Sequence, residues 1–215
     1  MNIPKPKYFP ENIGLQISQS NLRQITGYSQ SQIFGLMGLA AISGHKEINI
    51  ISGIYPQLYI NIRIEDSSCE IARTFLFGEK IIVNELFEIS EPYSRRQRIG
   101  TKVFCSQVSA ARMEGFEKIT AWAAGNFKNI EHWNGYITWG KLGFTMDADA
   151  QSDFDELMKR LGRNEKTLKE LLSIDENCWV ENGFSWDGEF SLLEDSDNIK
   201  NLLKYLSKSG LKEWL

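Results

Sequence analysis

Two histidines and three cysteines are all the imidazole and thiol chemistry available to this 215-residue chain. Cys69, Cys105 and Cys178 are odd in number and widely spaced, which argues against a disulfide framework; with His45 and His132 they form no metal-ligand spacing. The thiols read as small buried apolar groups, and no metal is expected. Long apolar runs are also missing. Nothing approaches the ~18 residues that a membrane span requires, and the most apolar stretch, IFGLMGLAAI, has the length of one buried helix. The opening MNIPKPKYFPEN lacks an apolar segment of signal-peptide type, so a cytoplasmic protein with no membrane partner is expected. No internal repeat is visible.

A strong charge of one sign is absent too. The net charge of −4 conceals a modest asymmetry: residues 1–146 hold 15 Lys/Arg against 12 Asp/Glu, and residues 147–215 hold 9 against 16. The mildly cationic front can attract an anionic small molecule. It is too weakly basic for general nucleic-acid binding, so no nucleic-acid partner is expected.

What is present is the composition of a globular protein, 42% apolar and 24% charged, long enough to bury a core without staples. Residues 1–29, polar and with prolines at 4, 6 and 10, read as an arm with a short helix. Residues 30–146 read as a core, and 147–215 as a subdomain packed on it. Within the core, Gln30 to Ser43 reads as a buried helix ended by Gly44. EINIISGI, QLYINIRIE and SCEIARTFLF follow as an antiparallel meander, the second with clear alternation. IIVNELFEIS is then a strand, EPYSRRQRIG a turn, TKVFCSQVSAARMEGFEKI a helix and ITAWAA a second strand. The class is α/β with a mixed sheet. After Phe144, a charged amphipathic helical stretch precedes NCWVENGFSWDGEFSLL, strand-like around two glycines, and a helix that ends at Gly210. Trp179, Phe184 and Trp186 either anchor this tail or line an acceptor site.

A strand-to-helix turn exposes unpaired backbone N–H groups and the positive end of the helix dipole, a setting suited to phosphate. Arg95, Arg96 and Arg98 surround that turn, and Gly100 permits close backbone approach. Gly135-Tyr-Ile-Thr-Trp-Gly140-Lys141 begins like a nucleotide-binding loop. However, Leu142 stands where the metal-binding hydroxyl is needed, and bulky residues fill the loop, which rejects an NTPase.

Arg95 to Phe104 resembles the acyl-CoA-binding turn and helix of the GNAT superfamily of N-acetyltransferases, with the pattern Gln/Arg-x-x-Gly-x-Gly/Ala before an apolar helix. Leu142-Gly143-Phe144 is similar to that family's Gly-Phe ending, and the order of elements over residues 30–146 fits as well. The resemblance implies a GNAT-like fold with a C-terminal extension, acetyl-CoA or a related acyl-CoA as co-substrate, and acyl transfer to an amine by direct attack in a ternary complex. It leaves a homodimer open. By resemblance, Arg95, Gln97, Arg98, Ile99, Gly100 and Thr101 bind the pyrophosphate, and Leu86, Phe87, Glu88 and Ile89 lie along the pantetheine arm. Two departures stand out: Arg98 replaces the first glycine, and Trp139 replaces the tyrosine that in many relatives protonates the leaving thiolate.

Proton handling then falls to other residues. Glu85 and Glu88 are candidate bases; strict alternation puts them on opposite faces, with Glu85 beside Val83 and Phe87 in a desolvating surround. Tyr136, one helical turn before Trp139, is the candidate acid, and His132 a candidate relay. Gly125–Asn134 is long enough to help shape an acceptor pocket. Two other readings compete: a non-catalytic binding or regulatory module of the same fold, and a relative acting on nucleic acid or aminoacyl-tRNA.

Overall fold

The computed structural model describes residues 22–39, 46–52, 57–64, 69–89 and 98–214. Residues 1–21 of the expected 1–29 arm, the helix stop at Gly44, and Arg95, Arg96 and Gln97 of the arginine turn lie outside them. The chain is mixed α/β and divides into two units, Met1–Lys118 with Leu211–Leu215, and Ile119–Gly210.

Among the described residues, the first unit opens with α1 (Leu22–Thr26) and α2 (Gln30–Leu36). Ser29 starts α2 through a capping box: its hydroxyl accepts from Gln32 N–H, and the Gln32 side chain accepts from Ser29 N–H at 2.9 Å. The helix stops at Leu36, well short of the expected Ser43. The reason is Gly38, at φ +81, which turns the chain where a Cβ would come within 2.4 Å of the Val103 carbonyl oxygen. Ile33, Leu36 and Met37 are buried as expected. They belong to the face that meets α3 (Ile99–Met113), where Gly35 lies against Ala110.

The four strands of this unit, β1 (Lys46–Ser52), β2 (Gln57–Ile64), β3 (Cys69–Leu76) and β4 (Ile81–Ile89), form the expected antiparallel meander in chain order. β3 lies between two partners and is buried on both faces from Ile71 to Leu76. Strict alternation fails in β4. Pairing runs from Leu76↔Ile81 to Arg73↔Asn84, then steps to Ala72↔Leu86, so Glu85 is an extra residue, a β-bulge. The bulge re-sorts the faces. Asn84 faces α3, where its amide and that of Gln107 exchange hydrogen bonds at 2.8 and 3.3 Å. Beyond the bulge, Phe87 and Ile89 also face α3 and pack at Gly100. Leu86 turns to the opposite face with Tyr59 and Ala72.

The second unit contains β5 (Lys118–Ala123), α4 (Gly135–Lys141), β6 (Thr145–Met146), α5 (Ala148–Arg160), α6 (Leu168–Ile174), α7 (Glu176–Asn182), β7 (Trp186–Ser191) and α8 (Asp197–Ser209). β7 lies between β5 and β6 and runs antiparallel to β6. The long amphipathic stretch is broken at Gly162, φ +66, into α5 and α6. NCWVEN is helical, not strand-like, because Asp175 caps the Cys178 N–H at 3.1 Å and starts a turn that buries Trp179. α8 runs as expected from its Ser196 cap to Gly210 in the left-handed region. Trp179 and Trp186 anchor this unit; both are buried, and both indole N–H groups donate to the Tyr136 carbonyl at 2.9 Å.

Among the described residues no helix is long and apolar enough to cross a membrane, and no group of three His, Cys, Asp or Glu side chains is placed to hold a metal ion. Cys69 and Cys105 are buried, and desolvation pushes both thiols up to about 12; Cys178 is half-buried.

The buried amide pair gives a test of how α3 is fastened to β4. Gln107→Leu strands the Asn84 amide and is expected to lower unfolding free energy by ~1–3 kcal/mol in denaturant titrations. Adding Asn84→Leu should recover part of that loss.

Candidate functional site

The N-terminus of α3 places a group of backbone donors next to β4. The first bond of the helix runs from Lys102 N–H to the Arg98 carbonyl at 3.2 Å. The N–H groups of Ile99, Gly100 and Thr101 are therefore the ones that an α-helix leaves without intrahelical partners. No side chain caps them among the described residues, and no acidic residue occupies the first turn. The dipole of a 15-residue helix adds partial positive charge at this end.

Arg98 occupies the N-cap position at φ 56, ψ 34, in the left-handed region, with its side chain exposed. A glycine adopts this conformation at no steric cost, whereas another residue pays roughly 1–2 kcal/mol. The arginine therefore holds a backbone geometry that favours glycine while adding a cation. Gly100 is needed for a different reason: a Cβ there would come 3.3 Å from the Phe87 ring and 3.7 Å from Ile89 Cδ1. Its absence lets the helix end settle on the outgoing half of β4. Ile99 is half-buried and Thr101 is buried, so Thr101 offers its backbone more readily than its side chain.

The bulge corrects the expected arrangement of carboxylates. Glu85 receives a hydrogen bond from Thr74 Oγ1 at 2.8 Å, so it lies on the face opposite α3 and has a polar partner instead of the apolar surround expected beside Phe87. The register places Glu88 directly across from Glu70 on that same face. Glu85 and Glu88, expected on opposite faces, therefore share one. Leu86 accompanies them, and Phe87 and Ile89 do not.

Tyr136 and His132 belong to the second unit. The Tyr136 side chain is fully buried, its hydroxyl donates to the Val180 carbonyl at 2.8 Å, and desolvation raises its pKa. A phenol committed in this way is a structural strut and not an acid facing a ligand. Trp139 is also a core residue, its ring 4.9 Å from that of Phe144. Gly143, at φ +99, lies under α8, where a Cβ would meet the Asn198 carbonyl oxygen at 2.8 Å. His132 is exposed on the 125–134 segment, which an isolated bridge between Gly125 and Asn134 closes into a loop. The segment rejected as a nucleotide loop is helical: it forms α4, and its lysine, Lys141, ends that helix and pairs with Glu176.

Two features escape a reading of the sequence. One is Arg73, a fully buried guanidinium beneath the bulge, which strand alternation gives no reason to single out. The other is a set of exposed aromatics in the second unit, Trp122, Phe127 and Trp133, at 56%, 55% and 40% exposure. An aromatic count does not distinguish exposed rings from core ones.

Tyr136→Phe tests the strut assignment. It is expected to destabilise the protein by roughly 1–3 kcal/mol, the cost of a buried carbonyl losing its donor, as read by chemical denaturation. No protein-family model matches this chain, and no curated protein or solved structure matches it either.

Proposed function

We propose that the chain is a GNAT-like acyltransferase that holds the diphosphate of an acyl-CoA at the N-terminus of α3 and passes the acyl group to an amine. The observation that carries this reading is the start of α3, where no side chain caps the helix among the described residues. Three backbone donors, a left-handed arginine and a glycine pressed against β4 meet at one point. Charge-assisted bonds from Arg98, and from Arg95 just before it in the sequence, suit a diphosphate. Gln97 adds an amide donor.

From that anchor the pantetheine arm would run along the outgoing half of β4, Leu86 to Ile89. A backbone N–H of this segment would bond the thioester oxygen and stabilise the charge that develops there. The amine nitrogen attacks the thioester carbon, the C–N bond forms, and the C–S bond breaks to release the CoA thiolate. The proton leaving the amine goes to a carboxylate or to water. Glu85 and Glu88, joined by Glu70 on one face of the sheet, supply negative charge for an acceptor that arrives as an ammonium ion. His132 is exposed on a loop of the second unit and takes no part in this step.

The leaving-group acid changes hands under this reading. Tyr136 is buried and committed, and Trp139 is a core indole, so the thiolate takes its proton from solvent. The same two observations favour a second reading, a module that binds acyl-CoA and does not turn it over.

Acetyl-CoA titrated into the purified chain, by calorimetry and thermal shift, is expected to bind and to raise the melting temperature. In the Arg95→Ala/Arg98→Ala variant, affinity should fall at least tenfold; an equal shift in both proteins would remove the site. Turnover against a panel of amines separates the enzyme from the binding module. Arg98→Gly is expected to separate stability from binding. It relieves backbone strain and should stabilise the fold by about 0.5–1 kcal/mol, yet acetyl-CoA affinity should drop.

A further inference from the structure

Among the described residues, Arg73 is the buried cation that acyl-CoA binding leaves without a task. Its side chain is 1% exposed. Nη1 donates to the Leu86 carbonyl at 2.8 Å and to the Ala72 carbonyl at 3.0 Å, and Nε has no hydrogen-bond partner. Leu86 and Ala72 are the pair at which the register resumes after the bulge. The guanidinium therefore bridges the two strands where their ladder is interrupted. Its Cζ also lies 5.8 Å from the centroid of the Phe87 ring, and that ring is the group which would touch a Cβ at Gly100. A continuous series of contacts runs from the guanidinium through Phe87 to the first turn of α3.

We propose that Arg73 is the positioning residue of β4, holding the strand in its bulged form and so fixing the line of Leu86–Ile89 against the N-terminus of α3. The functional half of this inference rests on the acyl-CoA reading; the structural half does not. Burying a guanidinium is expensive, and a core position in an uninterrupted ladder is served as well or better by an apolar side chain of similar volume. The bulge supplies the reason for the charge, because one planar donor can reach carbonyls on both strands at once. Desolvation lowers the Arg73 pKa to about 9, with Cys69 and Glu85 opposing the shift, so the bridge stays charged at neutral pH. Its hydrogen bonds go to the Ala72 and Leu86 carbonyls and its cation–π contact to Phe87, while Glu85 acts on it only through its field; it is not half of an ordinary ion pair.

The register supplies a direct control. Deleting Glu85 brings Asn84 and Leu86 next to each other with their pairing and their faces unchanged, and the ladder becomes regular. If Arg73 exists to hold the bulge, Arg73→Met should be strongly destabilising in the native chain, but neutral or stabilising in the chain lacking Glu85. Equal destabilisation in both backgrounds would overturn the proposal. Should Arg73→Met alone fail to fold, recovery of folding on deletion of Glu85 supports it, and failure of the double variant counts against it. Amide hydrogen exchange adds a readout that general core damage would not give. In Arg73→Met, or in Arg73→Lys if that variant alone folds, exchange is expected to rise at least tenfold at Phe87 and Ile89 while Ile82 and Val83 stay protected; a uniform rise along β4 would contradict positioning. Acetyl-CoA affinity of the same variants should fall at least tenfold. If the unaltered chain does not bind acetyl-CoA, the functional reading is lost, and the folding cycle and exchange pattern still decide the role of Arg73.

Discussion

One residue too many in β4 relative to β3 is the constraint on which the first unit depends. An antiparallel ladder tolerates the insertion only by bending and by giving the interrupted carbonyls another donor. Arg73 is that donor, reaching both strands from inside the core. The consequence is a change of face halfway along a single strand. Before the bulge, Asn84 is fastened to α3 through Gln107; after it, Phe87 and Ile89 support the first turn of the same helix at Gly100. Both ends of the helix-facing surface of β4 are thereby tied to α3, and the carboxylates Glu85 and Glu88 are left together on the other side. The position of the helix N-terminus is a property of the strand beneath it.

That N-terminus differs from most of the described helix starts, although α4 also begins without a side-chain cap, at Asn134. α2, α5, α6, α7 and α8 each begin with a side chain that accepts from the first turn: Ser29, Asp147, Thr167, Asp175 and Ser196. α3 is the longest helix described and begins with an arginine in a left-handed conformation and no such acceptor. A serine or aspartate at this point would stabilise the helix by roughly 0.5–2 kcal/mol, and a glycine would relieve the backbone. The residue present does neither. A helix start that forgoes both kinds of stabilisation while adding a cation is better matched to an external anion than to its own folding.

Much of this architecture is legible in the chain, and the failures have identifiable causes. β2, β3 and α8 are readable because each carries an undisturbed period or a terminal signal of its own, as in the Ser196 start and Gly210 stop of α8; α3 is readable as a helix but ends at Met113, short of the expected Ile119. The faces of β4 are not, because the period-2 argument assumes that every residue has a partner across the ladder. One inserted residue reverses the assignment of everything beyond it. The end of α2 is hidden because Gly38 looks like one small residue in an apolar run. Its task, close approach to the Val103 carbonyl, is set by a helix much later in the chain. Helical spacing puts Tyr136 on one face with Trp139, but it cannot say whether that face meets a ligand or a core. Here the phenol meets the Val180 carbonyl, and two indoles meet its own backbone oxygen.

The burial of Tyr136, the candidate acid, weighs little against the proposed acyl transfer, because the two proton problems are unequal. A free thiol titrates at about 8.5, so a departing thiolate is already stable enough near neutral pH to leave and be protonated by water. An alkyl amine titrates at about 10.4, and only its minor unprotonated fraction can attack. The demanding group is therefore the one that receives the amine's proton or raises the fraction of free amine. Carboxylates gathered on one face concentrate ammonium ions by their charge. A site of this composition favours acceptors that bind as cations and lose the proton to water through the carboxylate. Under the proposed acyl transfer, the rate would rise with pH toward the amine's own range, whereas a tyrosine acid would impose a fall on the alkaline side.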